Sequence, residues 1–535
     1  MKKSAFVKSL VLILAMLMLL TACNGNSSPQ SSSDSSQSSS GSGSDSAEET
    51  EREAVELVWY TPVDSLLAGS DDVIQAVNEY TQEKLNTTVD IHFFSYSDYA
   101  SNMTTMVSAG TYMDILLTGT NYVSFTDYAA RNAFAPLEDY IDEYLPQTKA
   151  QLPEGAWDAF TIDGHIYAIP PNKDLASNFD FLLNQTMADD LGLTFPEEFD
   201  TMADLIPFLY EAKEKRDAKY PEKAEQPIIG SFLSYICAWY YAENLVGGTA
   251  TPLVAANIPG LTGFEGMGEG ETAFCPFYTD EYREMMKAMR QLVVDGIIPF
   301  DTQNFDPDSV LWEAGDLLGR ASQGYIFIDE DMFAPYFKTS LYMQEHSVMT
   351  TSYVQTGGEA ISANSNNIER ALEFLELMNN DTYLATTIRF GVEGDGWTDE
   401  DNDGIFEVGP LNADSSNRYW WNWYGWCFGS IVVSKVPDGY PANFGELMTE
   451  FNDTANQDSN LGFTVDPTSI SNEIAACNNV VSEYTSVLNA GQSDDVDGIV
   501  DEFVQKLKDN GSDTIVEEVQ RQLTEWRASV GKPTL

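Results

Sequence analysis

Positive charge is what this chain has least of. Its 535 residues hold 27 Lys and Arg against 84 Asp and Glu, a formal net charge of −57. Such a surface repels phosphate backbones, which excludes nucleic acid as a partner. It repels anionic lipid headgroups too, so a basic patch cannot hold it to a membrane. An acidic ligand meets the same repulsion until salt screens it beyond about 10 Å. Histidine is almost missing: His92, His165 and His346 are the whole supply, and no HExxH occurs. A zinc hydrolase of that type has no residues to stand on. The cysteines form no CxxC. Beyond Cys23 they are Cys237, Cys275, Cys427 and Cys477, and spacing leaves open whether they pair or pack as small hydrophobes. Gly266-Met267-Gly268-Glu269-Gly270 lacks the lysine of a phosphate loop and reads as an ordinary loop. Long apolar runs are absent as well. The run from Leu10 to Leu20 is shorter than the roughly 20 residues that span a bilayer.

That run has its own meaning. Lys2, Lys3 and Lys8 precede it and Leu20-Thr21-Ala22-Cys23 closes it, the parts of a secretory signal in order. The tetrapeptide resembles the lipobox of bacterial lipoproteins. The resemblance implies that residues 1–22 are removed and that Cys23 carries a diacylglycerol, anchoring the chain at the outer face of the cell membrane. Residues 23–54 are Ser/Gly-rich and then acidic, a tether that cannot bury a core. With 43% hydrophobic residues, the remainder suffices for two or three domains.

From Val55 onward helical and strand patterns alternate. Residues 56–60, 88–94 and 113–117 read as strands, and 71–85 and 99–109 as helices. That order predicts a mostly parallel sheet with right-handed crossovers. Ligands of such sheets sit beyond the carboxyl ends of the strands. Tyr60, Thr61, Tyr96 and Asn121 are therefore candidate ligand contacts. A helix over 232–245 carries Trp239, another candidate. The helix over 282–295 places Met285, Met286 and Met289 at core spacing. Lys173 and Asp174 follow Pro170-Pro171-Asn172, where the chain is expected to cross between lobes, and could face a cleft.

The densest aromatic stretch holds Tyr419, Trp420, Trp421, Trp423 and Trp426, beside Asn422. Flat faces next to amide donors suit sugar rings. As a strand, this stretch puts Tyr419, Trp421 and Trp423 on one face and Trp420, Tyr424 and Trp426 on the other. Trp397 joins the ligand-contact candidates. Asp399, Asp401 and Asp403 with Gly404 match the start of a calcium loop, but Pro410 stands where the closing glutamate belongs. An acidic turn is the preferred reading, with no cofactor and no metal expected.

Pro136, Leu137, Asp139, Trp157, Asp163, Gly164, Tyr167, Ala168 and Pro170 together resemble the first lobe of the extracellular solute-binding proteins of ABC importers, of the sugar-binding type. Met202, within Thr201–Leu205, stands where the family's second-lobe element usually has tryptophan. Gly391-Val392-Glu393-Gly394, Gly462–Pro467, Asn472–Ala476 and the run from Glu517 to Trp526 resemble the members that carry a C-terminal DUF3502 region. The resemblance implies an α/β, two-lobe periplasmic-binding-protein-like (type II) fold with discontinuous lobes and a helical C-terminal region. Residues 55–169 plus about 357–398 form lobe 1, and 170–356 plus about 420–535 form lobe 2. It implies a monomeric receptor, not an enzyme, that closes on an oligosaccharide and delivers it to ABC permease subunits. A lipid-anchored glycoside hydrolase and a glycan-binding surface protein are the rival readings.

Overall fold

A computed structural model describes residues 52–63, 69–120, 122–177, 179–196, 199–230, 236–248, 251–299, 307–323, 337–343, 346–413 and 429–535. The expected signal, Cys23 and most of the tether lie outside them. No helix among the described residues is long and apolar enough to cross a membrane.

Two hydrophobic cores organise the fold. The first begins with β1 (Val55–Val63), α1 (Ser70–Leu85), β2 (Thr87–Ser95), α2 (Tyr96–Ser108) and β3 (Ile115–Thr118). Asp71 and Asp72 lie in the first turn of α1, where the helix dipole favours negative charge. Asn86 closes α1 at φ 51°, a left-handed turn that Asn tolerates better than most residues. The Ser95 side chain caps α2 by accepting from the Asp98 N–H. β1 lies between β2 and β3 and is parallel to both. The strand Gly358–Ile361 returns to this sheet and pairs antiparallel with β3. The carboxyl ends of β1, β2 and β3 thus share one rim.

The second core surrounds the strand Phe179–Asn184, flanked antiparallel by Gly319–Gln323 and Thr339–Met343. The helix Asp280–Val294 buries Met285, Met286 and Met289, so its methionines are core. Three C-terminal helices, Ser471–Leu488, Val496–Asp509 and Ser512–Ser529, complete the packing. Phe503 is their centre. It stacks on Tyr484 at 5.1 Å and packs against Phe277 at 4.9 Å. Cys275 and Cys477 are buried free thiols.

Two expectations need correction. Helical spacing over 232–245 gives way to a four-residue helix, Ile236–Trp239, and then a strand, Ala242–Gly248. That strand forms a hairpin with Thr251–Asn257, and Gly247 at φ 115° supplies the irregular backbone at its end. Pairing with a partner strand overrides local periodicity. The segment carrying Ile431, Tyr440, Phe444, Met448 and Phe451, which the family resemblance assigns to the second lobe, packs in the first core.

Three stretches of chain cross between the cores. Ser177 bridges to Val348, and Val348–Met349 runs parallel to Asn456–Gln457. Phe503→Ala removes the aromatic hub of the C-terminal helices. We expect a loss of about 3–5 kcal/mol, read by urea unfolding. A loss below about 1 kcal/mol would mean these helices are an appendage to the second lobe.

Candidate functional site

The lobe-1 rim is aromatic. Tyr60 stacks on His92 at 4.6 Å and on Phe94 at 6.1 Å. This ladder follows from register, since Tyr60 pairs with His92 across parallel strands that put their side chains on one face. Tyr96, at the start of α2, meets Tyr122 at 5.9 Å, and Tyr99 approaches Tyr122 edge-on at 6.3 Å. The Tyr99 hydroxyl accepts from the Leu117 N–H at 2.9 Å and has the Tyr60 and Leu117 carbonyls at 3.1 and 3.0 Å for its one proton, tying β1 and β3 beneath the rim. Tyr96 and Tyr122 keep part of their surface open, whereas Tyr60 is buried within the ladder. Sequence reasoning missed Tyr122. Its only signal was an aromatic just past the end of a rim strand.

Other candidates land elsewhere. Thr61 is fully buried, because alternation turns it away from Tyr60 and into the sheet's packed face. Lys173 is 1% exposed and is not a cleft residue in this conformation. Its ammonium donates to the Asp174 carbonyl at 2.6 Å and lies 4.9 Å from the Tyr353 ring centroid. The Tyr353 hydroxyl donates to Asp174 Oδ2 at 2.7 Å. Burial holds the Lys173 amine below its usual range, and Asp174 partly offsets it. These three residues join the first crossing to the helix Thr351–Val354 that follows the second. Trp239 is buried in the second core. Trp397 is buried against Phe406, and its indole N–H donates to the Gly391 carbonyl at 2.8 Å. Its ring is core, because that N–H needs a partner and finds one inside. Asn121, Tyr419, Trp420, Trp421, Trp423 and Trp426 lie outside the described residues.

The acidic loop is organised around one carboxylate. Asp399 accepts from the N–H groups of Asp403 and Gly404, both at 3.2 Å, with Asn402 at φ 61°. Carboxylate oxygens of Asp399, Asp401 and Asp403 lie within 4.8 Å of one another. A cation is already there. Lys435 Nζ sits 2.5 Å from Asp399 Oδ2, and the Asp399 side chain is fully enclosed. Lys435 also lies over the Trp397 ring at 5.3 Å. With Pro410 in the closing place, the set does not fit a complete calcium loop.

A family model described as bacterial extracellular solute-binding protein matches residues 67–384. The chain belongs to that family. A second model, a domain of unknown function (DUF3502), matches residues 459–528. Among curated solute-binding relatives, a carbohydrate ABC transporter substrate-binding protein of Streptococcus pneumoniae serotype 4 is 22% identical over 85% of this chain and 88% of its own. Among solved structures, the N-glycan transport solute-binding protein NgtS of Streptococcus pneumoniae superposes with a TM-score of 0.72 at 20% identity, covering 89% of this chain and 99% of that one. A FusA substrate-binding protein of the same species, solved as an EF-hand mutant with fructo-nystose, gives 0.55 at 18% identity over 89% and 100%. These likenesses establish the two-lobe fold.

Asp174→Asn leaves Lys173 buried without its counter-charge. We expect a loss of about 3–5 kcal/mol by urea unfolding, and less for Tyr353→Phe, about 1–2 kcal/mol. The loop makes a separate prediction. About 1 mM calcium should leave the melting temperature of the native chain unmoved and raise that of Lys435→Met, which frees Asp399.

Proposed function

We propose that this solute-binding protein captures an oligosaccharide between its lobes and hands it to the permease subunits of an ABC importer. The rim ladder with Tyr96 and Tyr122 carries the reading. Aromatic faces at the open end of a parallel sheet pack against the C–H faces of sugar rings, while strand-end backbone groups take hydroxyls. The three crossings support lobe closure, since they leave each lobe its own core. The ligand needs only to bind the closed form better than the open one. The relatives' named ligands, fructo-nystose among them, support the carbohydrate class. The transporter relatives support the permease partner.

The receptor works as a monomer, held at the outer face of the cell membrane by lipid on Cys23. Its acidic surface gives lipid headgroups nothing to attract. No bond is made or broken in the captured glycan. In this reading the DUF3502-like helices are part of lobe 2.

Calorimetric titration with N-glycan fragments and fructo-oligosaccharides, followed by chromatography of the recovered sugar, tests the reading. We expect one site per chain and unchanged sugar. Released products would establish the hydrolase instead. Tyr122→Ala and Tyr96→Ala should each weaken binding about tenfold, equivalent to about 1.4 kcal/mol. Full affinity in both variants would move the sugar off this rim.

A further inference from the structure

The edge of lobe 1 opposite the aromatic rim holds a cavity of about 350 Å³. Pockets that hold small organic molecules begin at about 300 Å³. Met113, just before β3, and Ser362, just after the strand Gly358–Ile361, put the cavity at the amino end of β3. These two and Tyr128, of the helix Phe125–Ala130, are the buried part of its lining. Ser362 is 5% exposed, and its hydroxyl oxygen accepts from the Asn364 N–H at 3.2 Å. The proton of that hydroxyl meets no acceptor among the described residues. A buried hydroxyl normally finds one. Ser108, Thr111, Arg131, Asn132 and Asn364 form the polar wall. Among the described residues, none of these five side chains has a hydrogen-bond partner.

The charge of this lining departs from that of the chain. With 84 acids in 535 residues, twelve lining residues should include about two, and they include none. Their one ionised side chain is a cation. Arg52, Arg283, Arg290, Arg370 and Arg521 each pair with a carboxylate. Arg131 does not. It lies 5.7 Å from the Tyr128 ring centroid, and Asp127, one turn earlier, makes no ion pair with it. Asp114, next to Met113 along the chain, is already held by the Val58 N–H at 2.9 Å and the Ser365 hydroxyl at 2.6 Å. Two helices, α2 and Phe125–Ala130, end at the cavity, and a helix C-terminus opposes an anion. Both ends are closed, however. The Val107 carbonyl accepts from the Gly110 N–H at 3.0 Å, and the Tyr128 carbonyl from the Ala133 N–H at 2.9 Å. The guanidinium is the free charge at this place.

We propose that this cavity is a second binding site, and that it takes a sugar bearing a carboxylate. A planar guanidinium donates two parallel hydrogen bonds to a carboxylate, a match that a neutral sugar lacks. The Asn132 and Asn364 amides and the Ser108 and Thr111 hydroxyls both donate and accept, as ring hydroxyls require. Ser362 gives its unused proton to the bound sugar. The volume lies at the small end of the range for ligand pockets, which suits one sugar ring rather than a chain. β3 lies between this site and the aromatic rim, so the two bind separately. The inference adds a site to the receptor and does not depend on what the rim binds, so either reading can fail alone.

Ligand-observed NMR of the full chain with sodium galacturonate, in about 0.15 M salt, tests the proposal. The salt screens the repulsion that a net charge of −57 imposes on an anion. We expect saturable binding with a Kd of about 1 mM or tighter. Galactose and acetate each lack half of the match and should bind at least about tenfold more weakly. Arg131→Gln should weaken galacturonate binding about tenfold or more. It should leave the melting temperature unchanged, because Arg131 is exposed and holds no carboxylate. Asn364→Asp puts an acid into the lining and should weaken binding as well. Native affinity in both variants would overturn the proposal and send the acid to the rim or another surface. So would equal binding of galactose, which would make the cavity a neutral-sugar site, or equal binding of acetate, which would make it a plain anion site. Absence of saturable binding up to about 10 mM would overturn it and leave the cavity to water.

Discussion

One buried side chain stands in for a β-strand at the centre of this protein. Asn452, on the helix Phe444–Thr454, accepts from the Leu175 N–H at 2.8 Å and donates to the Lys173 carbonyl at 2.7 Å. Its amide thereby satisfies the first crossing as a neighbouring strand would. Without it, crossing backbone would be buried unpaired, which costs about 1–3 kcal/mol per group. The crossing is thereby tied to the first lobe, and the later crossings are held by Ser177, Val348 and the parallel pair with Asn456–Gln457.

The junction also concentrates buried charge. Lys173 and Asp174 form a buried ion pair that Tyr353 of the helix Thr351–Val354 holds, and the next residue back, Ser352, gives its N–H to the buried carboxylate of Glu243. Buried pairs of this kind add little net stability, because desolvation offsets attraction. They do make the arrangement specific, since a displaced crossing leaves a charge without its partner. The C-terminal helices reach into the same junction. Arg527 donates to Asn460 and Lys532 to the Ser459 carbonyl. The DUF3502-like region is thus both a wall of the second core and a brace on the third crossing.

The acidic loop solves a related problem. Asp399 gathers backbone N–H groups as the first residue of a calcium loop does, and an ammonium from a distant part of the chain meets its second oxygen. Trp397 beneath that ammonium explains why a candidate sugar contact is core. Its ring lines the cation's seat, and its N–H is held inside.

Much of lobe 1 was legible in the chain. The alternation of strand and helix patterns from residue 55 to 118 is a local signal and survives folding, although Gly69, not Asp71 or Asp72, stands at the N-terminal cap of α1. The methionine stripe of the helix Asp280–Val294 was legible for the same reason. Lys173, Thr61 and Trp397 were not, because which face of a segment is covered depends on what packs there. The hairpin at Ala242–Gly248 needed a partner strand nine residues on, and periodicity cannot see a partner. By itself the sequence determined an acidic α/β chain of two or three domains with aromatic residues at the strand ends, since composition, spacing and strand order are properties of neighbours along the backbone, and the two lobes came from the family resemblance. Only the tertiary structure decided that Asn452 completes a crossing, that Lys435 reaches Asp399, and that Glu243 takes the Ser352 N–H. Each of those contacts joins residues tens to hundreds of positions apart, and their energy comes from burial that exists only once both lobes are packed.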